Sequence, residues 1–181
     1  MNKSYDYIKD EIDPNICTDA VGKRFFKKLE EGGYTRDENP ISHYCCYFLP
    51  YKPDTKKVFL IHHKKSGLWI FPGGHIDKGE DLIQTLNREI EEELGIKDKV
   101  KNKIKPFLLT ITPINNPVQP CKEHLDFWYR FSTDGSEFNV DPREFHDAKW
   151  LSTDEARELI TDPPNLEALD KMEILFSQLT A

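Results

Sequence analysis

The residues best suited to do chemistry lie close together at 73–96, GGHIDKGEDLIQTLNREIEEELGI. A glycine pair opens the stretch, Gly95 is a helix stop, and the residues between predict one helix over about 80–94. On a wheel of about 100° per residue, Leu82, Ile83, Leu86, Ile90 and Leu94 form a core face. Gln84, Asn87, Arg88 and Glu91 form a solvent face, while Glu89, Glu92 and Glu93 share a third arc that places Glu93 among the leucines. Like charges at this spacing repel, and burying an unpartnered carboxylate is costly. A hard divalent cation removes the conflict, since Mg²⁺ takes oxygen ligands and leaves positions for water and substrate phosphates. An isolated acidic run would read as a solvated helix face. The flanking residues decide between the two.

Gly74, five residues, Glu80, seven residues, Arg88-Glu89-Ile90, one residue, Glu92-Glu93, one residue, Gly95-Ile96 reproduces G-x5-E-x7-R-E-U-x-E-E-x-G-U, U being aliphatic. The stretch resembles the Nudix box of the MutT-like Nudix hydrolases, and a chance match at a given start is below about 10⁻⁸ from ordinary residue frequencies. The resemblance implies an α+β fold, an α/β/α sandwich with a mixed β-sheet flanked by helices. It implies hydrolysis of a nucleoside diphosphate linked to another moiety, by water attack at phosphorus. Carried over by position, Glu89, Glu92 and Glu93 bind the metal, with the Gly74 carbonyl completing the shell. The cation is Mg²⁺, with Mn²⁺ as the alternative. Glu89 also positions or deprotonates the water, and Arg88 orients a catalytic carboxylate. Glu80 reads as structural, at the favourable dipole end of the helix. The surrounding HHKKSGLWIFPGGHID resembles a subgroup with an N-terminal helix and a later H-x-D on a strand, here His124 and Asp126. Asp77 stands where Glu is commoner, and Thr85-Leu86 replace smaller residues, which puts local helix packing in question.

The elements that position the box follow from pattern. Residues 1–18 read as a loose lead with at most a short helix. DAVGKRFFKKLEEGG reads as an amphipathic helix capped by Asp19 and stopped by Gly32-Gly33. Strands are expected at 43–51 and 56–63 around a Pro53-Asp54 turn, at 68–74 leading into the box, and at 106–114, 124–131 and 145–152. A helix over 154–160 is capped by Ser152 or Thr153, TDPPN breaks the chain, and a last helix follows over 166–179. Lysine-rich KDKVKNK is an exposed connection. The expectation is one unit over 1–181 with an N-terminal helical extension over about 1–40.

Outside the box, Glu123, Asp126, Glu137 and Glu144 are candidates for a further acid, against a prior that each is a surface acid. His62 and His63 alternate at a strand end, so at most one is expected to face the cleft. His75 reads equally as a contact to phosphate or metal-bound water and as a polar loop residue. Trp69, Phe71, Phe127, Trp128 and Tyr129 read mainly as core, with one able to stack on a base. Cysteines at 17, 45, 46 and 121 show no zinc spacing, and Cys45-Cys46 read as small core residues.

The 181 residues carry a formal charge of −7, which argues against stable nucleic-acid binding through phosphates. It leaves a small nucleotide-like phosphorylated substrate, held through metal, as the expected partner. No run of 18 apolar residues predicts a membrane span, and the polar start predicts no signal peptide. A cytoplasmic protein with reduced thiols is the default, and a homodimer stays open. A nucleotide-sensing module without turnover is the main alternative, but such modules usually lose box carboxylates. An isoprenoid diphosphate isomerase would need a placed cysteine that the sequence does not supply.

Overall fold

A computed structural model describes residues 6–179 apart from 98, 102, 103, 116 and 137. The sheet is built on β1 (Ser42–Lys52), an 11-residue strand with no acidic residue, buried over most of its length. β1 pairs in parallel with β6 (Glu123–Ser132) from Ser42↔Glu123 to Tyr51↔Ser132. The other pairings are antiparallel. β2 (Lys57–His63) returns beside β1, β7 (Phe145–Ser152) pairs with β2, and β5 (Leu108–Pro113) pairs with β6. The turn at 53–56 joins β1 to β2 as expected, with Lys56 at φ 52.

The segment expected as one strand over 68–74 is two. β3 (Trp69–Ile70) pairs with β2, and β4 (Gly73–His75) pairs with β1. The break falls at Phe71-Pro72, where proline has no N–H for a ladder. Phe71 N–H is instead taken by the buried Asn165 side chain at 2.8 Å.

Side chains alternate across the sheet and fill two cores. On one face Tyr44, Cys46, Phe48, Leu125, Phe127 and Tyr129 meet Leu82, Leu86, Ile90 and Leu94 of helix α3 (Leu82–Leu94). The same core takes in Phe25 of α2 (Asp19–Glu31) and Ile8 of α1 (Asp6–Lys9), with Ile12. On the other face Leu49, Leu60 and Trp128 meet Ala156 of α4 (Thr153–Leu159) and Leu169, Met172 and Phe176 of α5 (Pro163–Gln178). A mixed sheet is thus flanked by helices on both faces.

Three local readings need correction. Over residues 6–18 the lead is not loose: Ile8 is fully buried, and Tyr7 Oη donates to Glu80 O at 2.7 Å. Thr18, not Asp19, caps α2, accepting from Val21 N, and Asp19 is the first helical residue. The TDPPN prolines start α5 rather than precede it, because a missing N–H costs nothing in the first turn and Asp162 caps it. Ser152 caps α4 in a capping box with Glu155. Part of the lysine-rich connection after α3 lies outside the described residues.

Candidate active site

Asp81 caps α3 in a reciprocal capping box with Gln84, and Gly95 closes it at φ 71. The helix therefore begins at Leu82, and Glu80 lies in the loop before it. Glu80 is not a dipole partner. Arg88 Nε donates to its Oε1 at 2.8 Å and Arg88 Nη2 to its Oε2 at 3.1 Å, a bidentate fork. Thr85, fully buried, donates its hydroxyl to Glu80 Oε2 at 2.8 Å. Thr85 is thus part of the site's support rather than a packing defect.

Arg88 does not lie on a solvent face. Its Nη1 donates to Glu89 Oε1 at 2.7 Å and to Glu92 Oε2 at 3.1 Å, and its Nη2 donates to the His75 carbonyl at 2.8 Å. Burial pulls its pKa down, but Glu80 and Glu89 outweigh that and raise it, so the guanidinium stays charged. Arg88 thereby ties the box loop, β4 and two carboxylates together.

Those carboxylates differ in exposure as the wheel implied. Glu89 and Glu93 are buried, and the Glu92 side chain is 58% exposed. Burial pushes the Glu89 pKa up to about 7; Arg88 opposes this, and Glu92 and Asp77 add to it. Burial, with Glu89 and Glu144 nearby, raises Glu93 well above the usual range, against one hydrogen bond from the Gly73 backbone. Glu93 Oε2 is buried without a hydrogen-bond partner. Gly74 leaves room for Glu89: a Cβ there would lie 2.3–2.7 Å from the Glu89 carboxylate atoms.

The candidates outside the box separate. Glu123 is held by Arg24 Nε at 3.0 Å and Ser42 Oγ at 2.7 Å, tying α2 to the sheet. Asp126 is fully buried and accepts from Thr110 and Thr112 through Oδ2. Burial raises its pKa to about 7 despite those hydroxyls. Glu144 is exposed, lies within electrostatic reach of Glu93, and lines a cavity of about 340 Å³ with His63, Lys64, Lys65 and Arg143. Glu137 lies outside the described residues. His62 stacks on Trp69 with centroids 5.0 Å apart. His63 sits over Ser66 and lines the Glu144 cavity. Trp128, Phe127, Phe71 and Tyr129 are core, as expected.

A second cluster escaped the sequence reading. His43, Cys45, His75 and His124 bring one ligand atom each within 4.8 Å of one another. They come from three strands, so only the sheet register, not spacing, brings them together. The pairings His43↔His124 and Cys45↔His75 are the sole sequence-independent cue. The set is separate from the carboxylates. Gly74 faces Glu89, and alternation along β4 turns His75 to the opposite face.

Among the described residues no helix is long and apolar enough to cross a membrane. A family model of the NUDIX domain matches residues 43–172. A curated relative, the m7GpppN-mRNA hydrolase NUDT17 of Xenopus laevis, is 25% identical over 118 residues, covering 58% of this chain and 40% of that protein. The 8-oxo-dGTP diphosphatase of Buchnera aphidicola subsp. Acyrthosiphon pisum is 45% identical over 42 residues, 23% of this chain and 34% of that one. The chain spans less than half the length of either relative. Among solved structures, a MutT NUDIX hydrolase from Burkholderia pseudomallei superposes with a TM-score of 0.59 at 22% identity, covering 71% of this chain and 96% of that one. That likeness speaks for the fold. With a complete box on α3 and a family match running from β1 into α5, this chain belongs to the NUDIX domain family.

Proposed function

We propose that the protein is a Mg²⁺-dependent hydrolase that cleaves the phosphoanhydride linkage of a nucleoside diphosphate joined to another moiety. One observation carries this reading: Glu93 is buried beside Glu89 with an oxygen that no hydrogen bond satisfies, and the Glu89 carboxylate occupies the space a Cβ on Gly74 would take. A buried pair of like charges is stable only when protonated or when a cation joins it. The donors are carboxylates with the Gly74 carbonyl at hand, all hard oxygens, which suits Mg²⁺ and accepts Mn²⁺. Bound there, the cation would supply positive charge against the diphosphate.

The chain's own residues carry the rest. Glu89, Glu92 and Glu93 hold the cation. Glu89, ionised once a cation joins the pair, would take a proton from the attacking water. Arg88 holds Glu89 and Glu92 in place, and Glu80 holds Arg88. Lys64, Lys65 and Arg143 around the Glu144 cavity offer positive charge to substrate phosphates, and Glu144 is the acid outside the box best placed to assist. The relatives' printed substrates, a capped mRNA and an oxidised nucleotide, both carry polyphosphate, which supports the bond class and leaves the moiety open.

Residues 6–40 belong to the same unit, supported by Arg24 on Glu123 and Tyr7 on Glu80. Four free thiols suit a reducing compartment, the cytoplasm. The test is turnover of a nucleotide panel with Mg²⁺ and then Mn²⁺, with products identified. We expect cleavage within a diphosphate, and its loss in Glu92→Gln with the melting temperature retained, since that side chain is 58% exposed. No turnover on any compound, or full activity in that variant, would sink the reading.

A further inference from the structure

The carboxylates leave the histidine–cysteine cluster unused, and it has the features of a second site. We propose that His43, Cys45, His75 and His124 hold a Zn²⁺ ion in a closed tetrahedral structural site. Three imidazoles and a thiolate are a nitrogen–sulfur set, which selects zinc over magnesium.

The geometry is close to what zinc requires. Zn–N bonds of about 2.0–2.1 Å set two tetrahedral nitrogens roughly 3.3 Å apart. His75 Nε2 and His124 Nε2 stand 3.3 Å apart. All four donor atoms lie within 4.8 Å of one another, so closure needs side-chain shifts of roughly 1 Å. His43 Nδ1 lies 2.9 Å from the Asn39 carbonyl. A carbonyl only accepts, so Nδ1 carries the proton, the outer contact that metal-binding histidines usually make, and Nε2 keeps its lone pair, with the Cys121 thiol 3.9 Å away as its present partner.

The cluster is also poorly satisfied as it stands. His43 and Cys45 are fully buried, His124 is 9% exposed, and His124 Nδ1 has no hydrogen-bond partner. Two residues along the same face of β6, Asp126 Oδ1 is buried and unpartnered as well. Two ring nitrogens facing each other use at most one proton, a weak return for three buried imidazoles. Burial disfavours the charged form of all three imidazoles. Neutral imidazole is the form a metal binds. Burial raises the Cys45 thiol in the metal-free chain, with Asp126 adding to it, and a coordinated thiol is deprotonated outright. Arg36, Lys28 and Lys65 reach the histidines electrostatically, so the thiolate and Asp126 supply the offsetting negative charge.

Four protein ligands and no open position make the site structural rather than catalytic. It would rivet β1, β4 and β6 together, and His75 is next to Gly74 and gives its carbonyl to Arg88.

The test uses the full chain, stripped with a strong chelator and reloaded with Co²⁺ under excess Mg²⁺, which occupies oxygen sites. We expect one retained Co²⁺ per chain, with the intense visible bands of tetrahedral cobalt and a thiolate-to-metal band in the near ultraviolet. Cys45→Ser should remove the near-ultraviolet band, His124→Ala should weaken retention about tenfold or more, and Glu92→Gln should change neither. X-ray absorption on the zinc-loaded wild type needs no variant and should show three nitrogens and one sulfur. No retained ion, a weak six-coordinate spectrum, a sulfur-free shell, or a near-ultraviolet band that survives Cys45→Ser would each overturn the site.

Discussion

Gly73 and Gly74 are neighbours, but a side chain would do different damage at each. A Cβ on Gly74 first meets the end of the Glu89 side chain, at 2.3–2.7 Å. That carboxylate can swing aside, so Gly74→Ala should leave melting nearly unchanged while displacing Glu89. Turnover with Mg²⁺ should fall about 10- to 100-fold, the range for a disturbed metal site. A Cβ on Gly73 meets backbone instead, Cys46 O at 2.3 Å and Tyr47 Cα at 2.6 Å, at φ 146. Gly73→Ala should therefore cost about 2–4 kcal/mol in strain and overlap. Denaturant melts beside steady-state assays of both variants separate the two effects. Equal loss of stability in both, or an active Gly74→Ala, would contradict this division. Glu93→Gln tests the same site from the acid side. Burial pushes Glu93 toward its neutral form without metal, so the amide should leave metal-free stability little changed and abolish stabilisation by Mg²⁺. A melt that still rises with Mg²⁺ in that variant would remove Glu93 from the metal set.

The same contrast between legible and hidden holds for whole elements. The box could be read because its residues share one helix, where spacing reports geometry directly. Glu93 among the leucines was visible on a wheel, and it is buried. Arg88 was misplaced by the same wheel, because its long side chain leaves the helix face to reach Glu80 and the His75 carbonyl. The histidine–cysteine cluster had no spacing to read, since β1, β4 and β6 supply its members and only register aligns them. The β3–β4 joint was hidden for a related reason: its partner, Asn165, is 94 residues away on α5. Asn165 also accepts its place from Asp162, which bonds both its backbone N and its Nδ2. Asn165→Ala should leave the buried Phe71 N–H unsatisfied and cost about 1–3 kcal/mol. Because that joint sets the entry to Gly73-Gly74, hydrogen exchange at 71–75 should quicken more than in α3. Uniform quickening across the sheet would instead mean a general loss of stability, and no local hinge.

At the scale of the molecule, the buried groups set how stability responds to pH and to metal. Glu89 moves from an ordinary 4.5 to about 7 on folding, and Asp126 from 3.8 to about 7. A raised acid binds its proton more tightly in the folded chain, so its contribution is full below the unfolded pKa and is lost as pH rises through 7. Glu93 acts in the same direction. His75 and His124 act in the opposite one: lowered from 6.5 to about 3 and about 4, they stabilise above 6.5 and withdraw that as pH falls. Below 6.5 the two sets oppose each other, and above it the acids dominate. The chelator-treated protein should therefore lose stability more steeply from about pH 6.5 to 8.5 than from about pH 5 to 6.5. On the proposed function Mg²⁺ would bind the ionised carboxylates, and its binding would release the protons that Glu89 and Glu93 hold. The rise in melting temperature on adding Mg²⁺ should then grow with pH across the same interval. Taking that difference at each pH cancels Asp126 and the histidines, which are common to both samples, and isolates the box. A Mg²⁺ effect that is constant with pH, or greatest in acid, would mean that these buried carboxylates are not what the cation binds.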